Sequence, residues 1–309
     1  MNDTNIVLFF LHIAGAAALL IWAVRLVRTG VERGYSTPMR IWLRHSAKNR
    51  LLAAGTGMGA AVLLQSSTAV AILVSNFVSK GGLATAAGLA IMLGADVGSA
   101  VVTQLLVVRQ PILTPLLLVI GITVFLRGEG SNTRQIGRIM IGLALIFVSL
   151  DMIRAATEPM ISSPGTQAVM AYLGRDLLTA FVIGAVFAWG VHSSVAAVLL
   201  FVTLAGQSIL PTPAAATMIL GANLGGGLIA FLLTYSAPAA VRRMIMGNLI
   251  LRGGGAVMAV FVIAAMPEIS ARGRVIRAGT ATAHALLGLS FCCLFSTKEL
   301  MIARTMLSV

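Results

Sequence analysis

The sequence contains very little charge for its length. Charged residues make up 10% of the 309 residues, whereas apolar residues make up 58%. A soluble domain is about one quarter charged and about 45–50% apolar, so this chain has too little polar surface to cover one. The mean hydropathy of +0.98 excludes an ordinary soluble enzyme and a disordered chain. It predicts an all-α, multi-pass membrane protein.

Cysteine is limited to Cys292 and Cys293, which are adjacent. This excludes a disulfide framework and a cysteine metal site, and we expect no cofactor. The net charge is +13, but the basic residues lie between apolar segments, and aromatic residues make up only 6% of the chain. Such a pattern is typical of loop charges that orient a membrane protein. It argues against nucleic acid as a partner and indicates the lipid bilayer of a cell membrane, most simply a bacterial inner membrane.

Two apolar segments are too long for a single membrane span. A span needs about 20 helical residues, whereas residues 51–79 and 177–206 are each longer and have a polar cluster at the centre. The clusters are Gln65-Ser66-Ser67-Thr68 and His192-Ser193-Ser194. Both segments are therefore predicted to be broken, re-entrant helical hairpins. The other apolar segments lie at about 6–27, 83–108, 111–126, 137–155, 212–234, 244–266 and 278–297.

An internal repeat relates the two broken segments. A shift of 127 residues places Ser66-Ser67 on Ser193-Ser194. The same shift, without a gap, places Gly94-Ala95-Asp96-Val97-Gly98 on Gly221-Ala222-Asn223-Leu224-Gly225. Two motifs that agree on one offset are hard to obtain from a shared bias in composition. The sequence therefore predicts two copies of one structural unit.

The charges ahead of the two copies differ. Residues 29–50 hold five basic residues and one acid, whereas residues 156–177 hold one basic residue and two acids. By the positive-inside rule, only the first flank is cytoplasmic. We therefore expect two inverted repeats, at about 29–126 and 156–266, within one transmembrane domain that spans residues 1–309. Inverted repeats are typical of secondary transporters.

One stretch does not fit this topology. Residues 267–277 hold Arg272, Arg274 and Arg277, and the scheme places them outside. A helix break at Arg252-Gly253-Gly254-Gly255 would resolve the conflict by dividing segment 244–266. The topology of 244–277 stays open at the level of sequence.

The polar clusters lie in nearly uncharged surroundings. Residues 177–241 contain no Asp, Glu, Lys or Arg, and residues 51–108 contain only Lys80 and Asp96. A ligand there must be held mainly by hydroxyls, amides, backbone groups and helix ends. Serine hydroxyls and the N–H groups of a helix start suit an anion, whereas carbonyl and hydroxyl oxygens suit sodium. The alternative role for the serines is helix packing.

The two motifs resemble those of the type II sodium–phosphate cotransporter family. That family has a Gln-Ser-Ser-Ser/Thr motif in each of two inverted repeats, followed by a motif similar to Gly-Ala-Asn-x-Gly-Thr. The first copy here matches these motifs well, with Gln65-Ser66-Ser67-Thr68 followed by Leu93-Gly94-Ala95-Asp96-Val97-Gly98. The second copy is weaker, with His192-Ser193-Ser194-Val195 followed by Gly221-Ala222-Asn223. The resemblance covers roughly residues 50–106 and 178–233.

The resemblance implies a secondary active transporter, not an enzyme, that moves inorganic phosphate across the cytoplasmic membrane with sodium. Asp96 and Asn223 are implied as sodium-binding residues. Many bacterial relatives also have a soluble C-terminal regulator domain, which we do not expect here. The residues implied in phosphate binding are Gln65, Ser66, Ser67, Thr68, His192, Ser193 and Ser194.

This sequence departs from the family pattern at several positions. His192 replaces a glutamine, and an imidazole could bring proton coupling. Asp96 replaces an asparagine, Val195 lacks the hydroxyl of Thr68, and Gly226-Gly227 replace hydroxyl residues. A proton-coupled carrier, or a carrier of another oxyanion, therefore remains an alternative.

Two further classes of function stay open. A hydrolase would use Ser193 or Ser66 with a histidine, but His192 and Ser193 are neighbours in sequence and would not face each other on a helix. Neither serine lies in a nucleophile-elbow motif. A membrane scaffold derived from a carrier would explain the degraded second motif. Arg252, in an apolar segment, either attracts anions or extends to the membrane surface.

Overall fold

The computed structural model describes residues 3–45, 49–107, 111–160 and 164–265. Over these ranges the regular structure is helical, which confirms the predicted all-α class. A 3-10 turn (Glu158–Met160) follows α6. The α-helices are α1 (Asp3–His45), α2 (Arg50–Leu64), α3 (Ser67–Ser79), α4 (Thr85–Val107), α5 (Leu113–Arg127), α6 (Ser131–Thr157), α7 (Pro164–Arg175), α8 (Leu177–Val191), α9 (Ser194–Gly206), α10 (Thr212–Leu233) and α11 (Ala239–Ala265).

Several of these helices can span a membrane. Among the described residues, α1, α4, α6, α10 and α11 are long and apolar enough to cross a bilayer, and α7 and α8 form a pair bent by 102°. Large apolar side chains such as Phe10, Leu126 and Phe261 are exposed, as expected where the surroundings are hydrocarbon rather than water. The protein is a multi-pass membrane protein, as predicted.

Both overlong apolar segments are broken at their polar clusters. Gln65 ends α2 and His192 ends α8, each in the left-handed backbone conformation, with φ of 51° and 54°. The next residue caps the following helix: Ser66 Oγ accepts a hydrogen bond from Ala69 N, and Ser193 Oγ accepts one from Ala196 N. A residue in the left-handed region stops a helix, and a serine cap starts one. The predicted breaks are thus confirmed.

In each copy, the helix before the break packs closely on the long helix that follows the broken pair, α2 on α4 and α8 on α10. A Cβ atom added to Gly57 on α2 would lie 2.0 Å from the carbonyl oxygen of Ile91 on α4. A Cβ atom added to Gly184 on α8 would lie 2.0 Å from the carbonyl oxygen of Met218 on α10. Only glycine allows such an approach of two membrane helices. The same holds for Gly94 against Ala54, Gly98 against Met58, Gly221 against Phe181 and Gly225 against Ala185.

These contacts recur at the offset found in the sequence. Gly57 and Gly184 are 127 residues apart, as are Gln65 and His192. The turns after α3 and α9 also correspond, because Gly81 and Ser208 both have positive φ, 69° and 58°. The unit α2–α4 therefore repeats as α8–α10 in its backbone turns as well as in its motifs.

The first helix is longer than its apolar segment predicted. The apolar run 6–27 is only part of α1, which continues through Pro38 to His45. The continuation is stabilised by burial, since Val31, Met39 and Leu43 belong to the apolar core around α2, α3 and α4. The apolar half of α1 packs on α6 instead, where a Cβ at Gly142 would lie 2.6 Å from Val27 Cγ2.

The suggested break within 244–266 is wrong. Helix α11 continues without interruption from Ala239 to Ala265, through Arg252 and the three glycines that follow it. The contacts of Arg252, described below, anchor this part of the helix to α3, α4 and α10. Arg272, Arg274 and Arg277, which conflicted with the predicted topology, lie outside the described residues.

Candidate functional site

The starts of α3 and α9 meet at Gly226 on α10. Thr68 Oγ1 donates a hydrogen bond of 3.3 Å to the carbonyl oxygen of Gly226. A Cβ atom on Gly226 would lie 3.1 Å from Ser194 Cβ and 3.3 Å from Ser194 Oγ. The two polar clusters, distant in sequence, therefore lie beside one glycine of the tertiary structure.

Each of these helix starts presents donors. The first backbone N–H groups of a helix have no acceptor within the helix. Ser66 and Ser193 each satisfy one of them, on Ala69 and Ala196. The remaining N–H groups and the positive end of the helix dipole favour a negative charge. The site therefore has two adjacent helix ends whose electrostatics favour an anion.

Gln65 and its counterpart His192 have different surroundings. Gln65 is 5% exposed, and its Oε1 atom is buried without a hydrogen-bond partner among the described residues. An unpaired buried acceptor costs about 1–3 kcal/mol, so Gln65 Oε1 can gain stability from a donor or a cation supplied by a ligand. His192 is exposed, and its Nδ1 lies 3.1 Å from the carbonyl oxygen of Gly190.

Arg252 on α11 connects the two copies. Its Nη1 donates to Asp96 Oδ1 at 2.7 Å and to Ser67 Oγ at 3.1 Å, and its Nη2 donates to Asn223 Oδ1 at 3.2 Å. Asn248, one helical turn earlier, donates to Asp96 Oδ2 at 2.9 Å. The side chains of Arg252 and Asp96 are only 9% and 18% exposed. This is a charged and hydrogen-bonded centre within apolar helices, the setting in which ionisable residues are expected to be functional.

Two glycines leave room for this arginine. A Cβ atom on Gly226 would lie 3.2 Å from Arg252 Nη2, and one on Gly227 would lie 3.7 Å from Arg252 Cδ. A Cβ atom at Gly226 would crowd the guanidinium, whereas one at Gly227 would make an ordinary contact with the side-chain stem. The guanidinium thus lies directly against the α10 backbone, between Asn223 and the start of α9.

The structure brings together most of the residues selected from the sequence. Arg252 contacts Ser67, Asp96 and Asn223, and Gly226 contacts Thr68 and Ser194. Ser66 and Ser193 act as helix caps at the edge of this centre. His192 does not point into the buried centre. Its side chain is exposed.

The partners of Arg252 were not predicted from the sequence, nor was the contribution of Asn248. Of the two alternatives for Arg252, extension to the membrane surface is wrong, because its guanidinium is buried among three partners. Lys80, the other cation near Asp96 in sequence, is exposed. The available signal was the spacing: Asn248 and Arg252 are polar residues four apart in an apolar helix, so they lie on one face.

The geometry does not form a hydrolytic pair. Ser193 Oγ accepts from Ala196 N, and His192 Nδ1 bonds to Gly190 O, so each side chain is bonded to the backbone rather than to the other side chain. The described residues also contain no cluster of three or more His, Cys, Asp or Glu that could hold a metal. What the centre offers is a set of donors suited to binding an anion reversibly.

Broken helices whose starts meet at a buried polar centre are typical of secondary transporters. Fold and site thus define a helical membrane transporter. A sequence model of the Na+/Pi-cotransporter family matches residues 19–155 and again residues 160–296. The chain belongs to this family, which confirms the resemblance seen in the two motifs and identifies the class as a transporter rather than an enzyme.

Several curated proteins are similar to this chain. "Putative inorganic phosphate export protein YjbB" of Escherichia coli (strain K12) is 42% identical over 245 residues, which are 79% of this chain and 45% of that protein. The protein of the same name from Salmonella typhimurium is 41% identical over the same coverage. "Uncharacterized protein YqeW" of Bacillus subtilis (strain 168) is 26% identical over 181 residues, 59% of each chain. The chain spans about half the length of the YjbB relatives. No solved structure gives a significant match.

Proposed function

We propose that the protein is a secondary active transporter that moves inorganic phosphate across the cytoplasmic membrane. The observation that carries the proposal is the meeting of two helix starts, with Ser67, Thr68 and Ser194, beside the guanidinium of Arg252. The family description and the name of the YjbB relatives both specify phosphate. A doubly charged oxyanion fits two positive helix ends and an arginine better than any neutral solute does.

Gln65 supports phosphate over sulfate. At neutral pH, phosphate keeps a P–OH group that can donate a hydrogen bond, whereas sulfate has only acceptors. Gln65 Oε1 is a buried acceptor that has no partner within the part of the chain that the structure describes, so it favours a ligand that can donate. A binding site built to receive such a donor discriminates strongly against an analogue that lacks it.

Sodium is the coupling ion that the family description supports. Alternating access would follow from two inverted repeats, α2–α4 and α8–α10, rocking around the site between them. The direction of net transport would follow from the gradients of phosphate and of the coupling ion. The relatives named for export and a family named for cotransport are compatible with one carrier mechanism that runs in either direction.

The test is phosphate uptake into proteoliposomes of purified protein, with and without an inward sodium gradient. The double variant Ser66→Ala/Ser193→Ala should abolish uptake, because it removes both helix caps at the site. Ser75→Ala is the matched control: Ser75 is also a buried serine of α3, but its hydroxyl bonds to Ala71 O within the helix, so uptake should remain.

The outcomes separate the candidate functions. Sodium-driven uptake that the double variant abolishes would support the proposal. Uptake driven only by a proton gradient would support phosphate transport with His192 as the candidate for coupling. No phosphate movement from folded protein would contradict the proposal and favour another oxyanion or a non-transporting scaffold, for which Val195 and the exposed His192 are the supporting features.

A further inference from the structure

One guanidinium contacts both residues predicted to bind sodium. Arg252 Nη1 lies 2.7 Å from Asp96 Oδ1, and Nη2 lies 3.2 Å from Asn223 Oδ1. Asp96 Oδ2 already accepts from Asn248 at 2.9 Å. A sodium ion bound between these oxygens would be next to a like charge held in the same place. The oxygens that would bind sodium therefore already have a cationic partner from the protein itself.

Two of the departures from the family pattern, at Asp96 and Gly226, lie beside this same side chain. Asp96 replaces an asparagine, and its extra negative charge balances the arginine at 2.7 Å. Gly226 replaces a hydroxyl residue, and a Cβ atom there would lie only 3.2 Å from Arg252 Nη2. Asp96 and Gly226 are 130 residues apart in sequence, yet the first supplies the counter-charge of Arg252 and the second leaves room for its guanidinium.

The arginine also reaches the anion-binding side of the site. Nη1 donates to Ser67 Oγ at 3.1 Å, and Ser67 is the first residue of α3. A guanidinium has five donors in a planar fork, and it binds phosphate oxygens in pairs. An oxyanion at the start of α3 would therefore lie within reach of the same group that contacts Asp96.

We propose that Arg252 is a built-in cation: it takes the place of a sodium ion at Asp96 and Asn223, and it neutralises the oxyanion bound at Ser67. This locus then binds no sodium, and any sodium that drives transport binds elsewhere in the protein. The second half of the inference rests on the proposed phosphate function. The first half does not, because it concerns only the cation at Asp96.

The first experiment measures binding of radioactive sodium to purified protein in a choline buffer. Arg252→Ala should bind about one more sodium ion than the wild type, because Asp96 is left without its cation. The double variant Arg252→Ala/Asp96→Asn should bind as many sodium ions as the wild type, because the carboxylate that would hold the additional ion is gone. Arg243→Ala, the same change at an exposed residue of α11, is the matched control and should bind as the wild type does.

Two results would overturn the proposal. One is an Arg252→Ala variant that is folded by size-exclusion chromatography but binds no additional sodium. The other is a loss of bound sodium in Asp96→Asn with Arg252 in place, which would show that Asp96 binds sodium in the native protein. This second comparison does not require a folded Arg252 variant, and unchanged sodium binding in Asp96→Asn supports the proposal.

The second experiment measures phosphate binding in the absence of sodium. Loss of a charge-assisted hydrogen-bonding partner should weaken phosphate binding by Arg252→Ala roughly 10- to 100-fold. Sodium should restore part of that affinity in Arg252→Ala but not in Arg252→Ala/Asp96→Asn. A purely structural role for Arg252 would not produce this rescue. Wild-type affinity in Arg252→Ala would overturn the neutralising role, whereas a wild type that binds no phosphate would overturn the proposed function and leave the sodium result standing.

Discussion

Arg252 on α11 and Asp96 on α4 form a salt bridge of 2.7 Å between Nη1 and Oδ1. The pair links α4 of the first copy to α11, and the bond from Arg252 to Asn223 on α10 extends this link to the second copy. Both side chains are largely shielded, and each has a further amide partner, Asn223 for Arg252 and Asn248 for Asp96. A charge pair in such surroundings affects stability far more than one on the surface.

Asp96→Asn should lower the free energy of unfolding by about 3 kcal/mol, the lower end of the range for breaking a buried pair. The reason is that the Arg252 charge keeps a hydrogen-bond acceptor but loses its counter-ion. Thermal unfolding followed by circular dichroism would measure the change. The control is Glu32→Gln, which removes an exposed pair with Arg28 at 2.8 Å and should cost less than about 1 kcal/mol. Equal effects of the two variants would contradict the prediction.

Gly57→Ala should destabilise the protein strongly, whereas Gly59→Ala on the same helix should not. A Cβ at Gly57 would lie 2.0 Å from the Ile91 carbonyl oxygen, but at Gly59 nothing lies within 4 Å. The first change must push α2 away from α4, at a cost of about 1–3 kcal/mol or more. Gly59→Ala replaces a flexible residue within the helix and should raise the free energy of unfolding by roughly 0.5–1 kcal/mol. Opposite shifts in Tm are expected, and a shift of the same sign for both would refute the close approach of the helices.

Gln65→Gly should make the protein more stable but impair phosphate binding. Gln65 has a left-handed backbone conformation with φ of 51°, and relieving its strain should raise the free energy of unfolding by about 1–2 kcal/mol. The greater flexibility of glycine in the unfolded chain offsets roughly 0.5–1 kcal/mol of this gain. The change also removes the unpaired Oε1 atom. Ser208→Gly, at φ 58° in the turn after α9, should gain stability without affecting binding. Unfolding temperature and phosphate affinity are measured together, and unimpaired binding by Gln65→Gly would exclude this side chain from the site.

His192→Gln should leave phosphate transport within about twofold of the wild type, well under the 1.4 kcal/mol that a tenfold change represents. His192 is exposed and bonds only to the backbone of its own turn, and glutamine is the residue of the first copy at this position. Initial rates of uptake into proteoliposomes, at several pH values, provide the measurement. Loss of all activity would instead support a role in proton coupling or in hydrolysis.

Cysteines placed at Gly82 and at Ser208 should be labelled from opposite sides of the membrane. The two positions lie in the turns after α3 and α9, and inverted repeats place equivalent turns on opposite faces. The experiment uses a background in which Cys292 and Cys293 are serines, and a maleimide that does not cross the membrane. Labelling of both positions from one side would show that the repeats are parallel.

Much of the local structure could be predicted from the sequence. The polar clusters at Gln65-Ser66 and His192-Ser193 marked the helix breaks, because a left-handed residue followed by a capping serine depends on near neighbours alone. The repeat offset identified the equivalent glycines before their contacts were known. The length of α1 could not be predicted, because burial of Val31 and Leu43 depends on distant helices.

Composition was enough to predict the class of protein, because a chain with so little charge can bury its backbone only as membrane helices. The polar clusters likewise predicted where two of those helices break. The tertiary structure alone decided the partners of the buried charges. Asp96 and Arg252 are 156 residues apart, and Ser67 and Arg252 are 185 apart. No pattern within a helix specifies such pairs. They follow from the packing of α11 against α3, α4 and α10, with Gly226 leaving room for the guanidinium.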